Sequence, residues 1–92
     1  MKSLIVIYLD KNCAYKANQN IANYTGDYRL EFSNDFDYDK PFKKRITSAR
    51  KKYDYAAIVG NEEFKQGSVT LKNLKSGEQK LVKYIDIYEN LV

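Results

Sequence analysis

Apolar and polar positions alternate along this chain with three different periods. Residues 4–9, Leu-Ile-Val-Ile-Tyr-Leu, form a continuous apolar run rich in β-branched side chains and closed by Asp10-Lys11-Asn12. Such a run predicts a strand covered on both faces, as in a parallel sheet. Over 13–24 the spacing changes: Ala14, Ala17, Ile21 and Tyr24 recur at helical intervals, with Asn12 as the expected N-cap and Thr25-Gly26-Asp27 as the terminator. Tyr28, Leu30 and Phe32 then alternate with Arg29 and Glu31, which predicts a half-exposed strand at a sheet edge.

Residues 33–39 read as a loop crowded with Asn34, Asp35, Asp37 and Asp39 and interrupted by Phe36 and Tyr38. A short helix is expected over 39–53, capped by Asp39, with Pro41 in its first turn and Phe42, Ile46, Ala49 and Tyr53 along one face. The acidic loop then lies near the positive end of that helix dipole. A third buried strand, 55–59, ends at Gly60, so the order strand, helix, strand, helix, strand predicts right-handed parallel crossovers and a three-layer α/β/α sandwich.

Beyond Gly60 the pattern shortens. Residues 61–66 are expected to make a turn or two of helix broken at Gly67, and Val69 and Leu71 alternate with Thr70 and Lys72 in a fourth strand over 68–74. Lys75-Ser76-Gly77 is a hairpin signal, 78–82 a short fifth strand, and 84–92 a closing helix with Ile85, Tyr88 and Leu91 inward. The sheet is therefore mixed, three parallel strands extended by a terminal hairpin. No internal repeat, low-complexity tract or linker interrupts the 92 residues, which predict one domain.

Charge changes this picture at one place. Lys40, Lys43, Lys44, Arg45, Arg50, Lys51 and Lys52 fall within the 39–53 segment, and no acidic residue lies between Lys40 and Lys52. Without these seven cations the balance of 16 basic and 12 acidic residues becomes nine against twelve, so the net +4 turns to −3. The positive charge is local, as expected of a docking face for a polyanion. The competing reading is a solvated helix face. Interleaved rings favour nucleic acid, because RNA readers stack unpaired bases on aromatics while Lys and Arg hold phosphates. Phe42 and Tyr53 are expected in the core, and Phe36 and Tyr38, in a polar loop, are the better stacking platforms.

Missing chemistry narrows the function. The chain has no histidine and one cysteine, which excludes imidazole acid/base catalysis, the usual nucleophile triads, most transition-metal sites and an internal disulfide. Cys13 is expected as a small buried side chain in a reducing compartment. No glycine-rich phosphate loop is present, and the Asp35, Asp37, Asp39 series lacks the central glycine and distal glutamate of a calcium loop. The longest apolar run is too short to cross a bilayer and no cleavage pattern follows Met1-Lys2-Ser3, so a cytoplasmic location is expected. With nine tyrosines and no tryptophan, many rings are expected at the boundary of core and surface. The domain is expected to bind, with no catalytic residue, metal or cofactor of its own.

From Tyr55 to Gln79 the residues take a familiar order: the Tyr-Ala-Ala-Ile-Val strand, Gly60, the pair Glu62-Glu63, Gly67, the Ser-Val-Thr-Leu-Lys strand, and the Ser-Gly-Glu-Gln hairpin at 76–79. This pattern resembles the C-terminal anticodon-binding domain of class IIa aminoacyl-tRNA synthetases, most of all that of the histidyl-tRNA synthetases. The threonine, proline and glycine enzymes share its first part. The upstream elements fall in the family's order, so the resemblance spans essentially the whole chain. It implies a five-stranded mixed sheet of order 2-1-3-4-5 with strand 4 antiparallel and helices on both faces. It also implies a domain that grips the tRNA anticodon while a separate catalytic domain, outside this chain, uses ATP and magnesium in an enzyme working as a homodimer.

Carried onto this sequence, the resemblance puts Glu62 and Glu63 against anticodon bases, Lys72 of the fourth strand against the same bases, and Tyr38, Lys40, Phe42 and Lys43 along the loop and first helical turn lining the site. Carboxylates accept hydrogen bonds from exocyclic amines or guanine imino groups, and cations hold the flanking phosphates. Read without the resemblance, Glu62 and Glu63 are helix-start acids and Lys72 is an exposed strand lysine that blocks aggregation. The acidic loop would repel phosphate, so Asp35 and Asp37 take no role in the site. Two other functions fit the same residues: a non-catalytic accessory or regulatory subunit that reuses the fold, and a small module whose basic helix binds an acidic protein. A chain of 92 residues opening on a core strand is expected to be an excised domain.

Overall fold

The structure, a computed structural model, describes residues 3–25 and 31–91. Five strands, β1 (Ser3–Tyr8), β2 (Glu31–Asp35), β3 (Tyr55–Val59), β4 (Ser68–Asn73) and β5 (Gln79–Lys83), form one sheet of order β2-β1-β3-β4-β5. β1 is parallel to both β2 and β3, whereas β4 is antiparallel to β3 and β5. The expected topology is therefore the observed one. The expected strand residues Tyr28, Arg29 and Leu30 and the Gly26-Asp27 terminator lie outside the described residues, as do the side chains of Tyr24 and Phe32 and the whole of Val92.

Period 2 in the strands and 3.6 in the helices divides the apolar residues between two sheet faces. On the first face Leu4, Val6 and Tyr8 of β1, with Ala57, Val59, Val69, Leu71 and Val82, pack against Ala14, Ala17 and Ile21 of helix α1 (Lys11–Thr25). On the second face Ile7, Ala56, Ile58 and Leu74 pack against Ile46 and Ala49 of helix α2 (Phe42–Arg50), with Ile5 and Tyr53 at the margin. A fully buried aliphatic side chain contributes about 1.5–3 kcal/mol, so these two clusters carry most of the stability. Cys13 is buried at the start of the α1 face, where burial followed by the Asp10 charge raises its thiol pKa.

Five local expectations are corrected. The N-cap of α1 is Asp10: its Oδ1 accepts the Asn12 N–H at 2.7 Å, and the helix starts at Lys11, before Asn12. β2 runs on through Ser33, Asn34 and Asp35, which pair with Ile5, Val6 and Ile7. The ladder to β1 overrides their poor strand propensity, and their side chains find partners: Asn34 beside the Tyr8 hydroxyl and Asp35 beside Arg45. α2 begins at Phe42, with Pro41 in the N-cap position and no capping side chain, so Asp39 caps nothing. Phe42, expected in the core, is exposed, and Arg45, Ile46 and Ala49 make the inward face.

The fifth correction lies at the end of the chain, where two 3-10 turns, Tyr84–Asp86 and Tyr88–Leu91, replace the expected α-helix. Three residues per turn put Tyr84 and Ile87 on the same side. Tyr84, Ile87 and Leu91 are buried with the α1 face, and Ile85 is 66% exposed. Between β3 and β4, helix α3 (Asn61–Lys65) ends at Gly67, whose φ of 65° is the left-handed conformation that glycine supplies cheaply. Gly77 does the same in the hairpin at φ 83°, where Asn73 Oδ1 also accepts the N–H groups of Lys75 and Ser76.

Candidate nucleic-acid interface

Because β2, β1 and β3 are parallel, their carboxyl ends lie on one edge of the sheet, and the chain leaves β1 for β2 and β3 for β4 in opposite directions across the sheet. The crevice at such a switch point is where open α/β sheets bind ligands. Leu9, 43% exposed, and Asp10 follow β1, the 36–41 loop follows β2, and Gly60 with α3 follows β3. Asp10 links two of these segments: its Oδ2 accepts from Asn61 Nδ2 at 2.6 Å while its Oδ1 caps α1. This carboxylate is thus a brace across the crevice.

The loop after β2 carries the rings. Phe36 stacks on Tyr8 with ring centroids 4.8 Å apart and planes 5° from parallel, and it remains 44% exposed. Tyr8 is fully buried, and its hydroxyl lies 3.1 Å from Asn18 Oδ1 and 3.2 Å from Asn34 Oδ1. Burial, then the neighbouring Tyr84, pushes the Tyr8 hydroxyl pKa well up, so it stays a neutral, fixed support. Phe36 therefore offers one face to the core and leaves its other side open, the form of a stacking platform. Tyr38 is exposed on the same loop; desolvation and then the nearby Cys13 raise its hydroxyl pKa.

Arg45 is the cation that the sequence misplaces. Expected on the basic surface, it is 3% exposed, with Nε 3.1 Å from Asp35 Oδ2 and Nη2 2.9 Å from both the Tyr8 and the Asp35 carbonyl oxygens. It ties the ends of β1 and β2 beneath the aromatic loop. The other six cations of the segment are exposed. Burial acts to raise the Asp35 carboxyl, but the hydrogen bonds from Arg45 and the Asp37 N–H, with the charges of Arg45 and Lys40, bring it below the usual carboxylate value. The acidic loop is partly neutralised from within.

Of the residues expected at the site, Tyr38, Lys40, Phe42, Lys43, Glu62 and Glu63 all belong to segments at this edge, and all but Glu63 are exposed. Glu63 is half-buried and turns back on its own helix, where its Oε1 accepts the Gly60 N–H at 2.9 Å. Glu62 carries no such restraint. Lys72 stands apart: it pairs with Ala56 and Gln79, about 10 Å down the sheet from the end of β3 at three residues of strand rise, on the face that carries α2. Asp10 and Asn12 are equally good cap types, and only the start of α1 at Lys11 decides for Asp10. Arg45 and the Phe36–Tyr8 stack had no local signal.

Among the described residues, no group of three or more histidine, cysteine or acidic side chains comes together to hold a metal. A polyanion with unpaired bases fits the edge better: rings with open faces, a free carboxylate, and cations at the entry of α2.

Comparison with known proteins agrees with this geometry. A model of the family described as the anticodon binding domain matches residues 4–92. The histidine–tRNA ligase of Elusimicrobium minutum, strain Pei191, is 36% identical over 90 residues, an alignment covering 91% of this chain and 20% of the relative. This chain therefore spans about a fifth of that relative's length. Among solved structures, histidyl-tRNA synthetase from Nostoc sp. PCC 7120 superposes with a TM-score of 0.83 at 22% identity, covering 95% of this chain and 21% of that one. The RNA binding domain of threonyl-tRNA synthetase from Cryptosporidium parvum Iowa II gives a TM-score of 0.82 at 16% identity, over 98% of this chain and 22% of that one. These two likenesses concern the fold. The family match, which runs from the first core strand to the last residue, establishes that this chain belongs to the anticodon binding domain family.

Proposed function

We propose that this single domain grips the anticodon arm of a tRNA as part of a histidine–tRNA ligase. The observation that carries the reading is the exposed ring of Phe36, held on buried Tyr8 at the carboxyl edge of the parallel strands, with Tyr38, Glu62, Lys40 and Lys43 on neighbouring segments. An unpaired base stacks on Phe36 or Tyr38, Glu62 accepts from a base N–H, and the lysines hold adjacent phosphates. Phe42 adds apolar surface at the rim, and Glu63 acts by holding the turn that presents Glu62.

The histidine assignment is supported by the named relatives, and the anticodon role by the family. Amino-acid activation with ATP and magnesium falls to a catalytic portion outside these residues, and the whole enzyme works as a homodimer. No helix among the described residues is long and apolar enough to cross a membrane, in keeping with a role in the cytoplasm.

The test is an NMR titration of the labelled protein with a histidine-anticodon stem-loop beside one of equal length and scrambled anticodon. The expected result is that the cognate loop alone shifts Phe36, Tyr38 and Glu62. Equal shifts with both loops, confined to 43–52 and abolished by salt, would leave a nonspecific polyanion binder in its place.

A further inference from the structure

The Phe36 platform rests on Tyr8, and Tyr8 has its own footing in two other elements. Strand alternation puts Tyr8, with Leu4 and Val6, on the first sheet face, and the parallel register sets Asn34 beside Val6 on that same side. α1 crosses this face, and its Asn18, the residue after buried Ala17, is half-buried at the margin. The Tyr8 hydroxyl therefore lies between a helix and the edge strand, 3.1 Å from Asn18 Oδ1 and 3.2 Å from Asn34 Oδ1.

A phenolic hydroxyl has one proton, so it donates to one of these amides and accepts from the other. Asn34 is exposed, and a half-turn of its amide brings Nδ2 to the hydroxyl while water serves the oxygen. Asn18 is the more enclosed of the two and keeps its oxygen on the hydroxyl proton. The order of donation is then Asn34 Nδ2 to the Tyr8 hydroxyl, and the Tyr8 hydroxyl to Asn18 Oδ1. Bonds in such a series strengthen one another in a dry setting, and Tyr8 is fully buried.

The strand fixes the Cβ end of the Tyr8 ring, and the hydroxyl marks the opposite end of its long axis. Anchoring the hydroxyl therefore fixes the tilt of the ring. Phe36 lies over that ring with centroids 4.8 Å apart and planes 5° from parallel, so a change of tilt in Tyr8 either carries Phe36 with it or breaks the stack.

We infer that Asn18, on a helix that supplies none of the residues of the proposed site, is a positioning residue for RNA binding: through the Tyr8 hydroxyl it sets the tilt of Tyr8, and so the plane on which Phe36 receives an unpaired base. This rests on the anticodon-arm reading above. Asn18 touches no base, so its whole effect on affinity passes through Phe36. Asn34, open to water, supplies the replaceable half of the series.

The experiment is a double-mutant cycle, with stem-loop affinity measured by fluorescence anisotropy for the wild type, Asn18→Leu, Phe36→Ala and the two combined, each checked for folding by circular dichroism. Asn18→Leu is expected to weaken binding about fivefold with Phe36 in place, a part of what one stacked base contributes. In the Phe36→Ala background the same change should weaken it by less than about 1.5-fold, since coupled residues lose their effect when the partner is gone. Asn18→Asp presents an oxygen at the same place and should bind within about twofold of wild type. Equal losses in both backgrounds, no loss with Phe36 present, or a loss in Asn18→Asp as large as in Asn18→Leu would each overturn the inference.

The ring-proton shifts of Phe36 in labelled protein read the stack without RNA. They are expected to move towards those of an unstacked ring in Asn18→Leu and to stay in place in Asn18→Asp, and unchanged shifts in Asn18→Leu would also overturn the inference. Should Asn18→Leu not fold, Tyr8→Phe removes the same contact from its other end and is read in the same way. Failure of the anticodon reading shows separately, as a Phe36→Ala protein that binds the stem-loop as wild type does.

Discussion

Arg45 and Asp35 form a pair whose Nε and Oδ2 atoms are 3.1 Å apart, and they join the helix over one sheet face to the end of the edge strand. The guanidinium is 3% exposed and the carboxylate side chain 17%, and Nη2 also holds the Tyr8 and Asp35 carbonyls. A planar fork with several donors serves three acceptors at once, which an ammonium group does not. The pair secures the ends of β1 and β2, and so the base of the loop that carries Phe36 and Tyr38.

Arg45→Met is expected to cost about 3 kcal/mol, because it strands a carboxylate and two carbonyls in a largely dry site. For a domain of this size that is a fall in Tm of about 12 °C or more, read by circular dichroism. Arg45→Lys should recover less than half of the loss.

The same pair makes stability sensitive to acid. The folded Asp35 carboxyl lies below its ordinary value, so the unfolded chain takes up the proton first as pH falls. The stabilisation is complete above the unfolded carboxyl pKa of about 3.9 and is lost as pH falls through the folded value. Asp54 adds in the same direction, lowered first by the Ser3 N–H and then, against some desolvation, by Lys75. Urea midpoints compared at pH 6 and pH 3 should differ less in Asp35→Asn than in wild type, and a full wild-type difference in that variant would remove Asp35 from the account.

Phe36→Ala separates binding from folding. The ring is partly exposed, so the loss of one stacked pair with Tyr8 should cost about 1 kcal/mol of stability. Affinity for the stem-loop should fall by about 1–3 kcal/mol, the range for one base stacked on an aromatic ring. A variant that unfolds as wild type does and binds as wild type does would show the ring to be idle.

Glu62 and Glu63 are expected to split by role. Glu63→Ala removes the acceptor of the Gly60 N–H and should cost about 1 kcal/mol of stability. Glu62→Gln should leave the unfolding midpoint in place and reduce discrimination between cognate and scrambled loops by about 10- to 100-fold, as the roughly 1.5–3 kcal/mol of a hydrogen bond to a charged group requires. Gly60→Ala tests the same turn, since a Cβ there would lie 3.1 Å from Glu63 Oε1 and 3.4 Å from Leu9 Cδ1.

At the chain end the 3-10 phase has a direct readout. Ile87→Ala removes a fully buried side chain and should destabilise by about 2–5 kcal/mol, whereas Ile85→Ala should be nearly silent. The reverse order of midpoints would restore the α-helical phase.

The sequence by itself determined the strands, the two long helices and the turns at Gly67 and Gly77, because each rests on neighbours within a few positions: a run of β-branched residues, an interval of three or four, a glycine where φ must be positive; the strand order came with the family resemblance. It placed the rings of Phe36 and Tyr38 in a loop for the same reason. Tertiary structure alone decided that Arg45 is buried, since its acceptors lie 10 and 37 residues away and become neighbours only when α2 crosses to the far face of the sheet. It decided that Asp10 braces Asn61 across 51 residues, and that Lys72 lies opposite Ala56, three residues below the end of β3. Periodicity records which side of an element is apolar; which polar groups meet depends on how the crossovers set one element against another, and that geometry has no local trace.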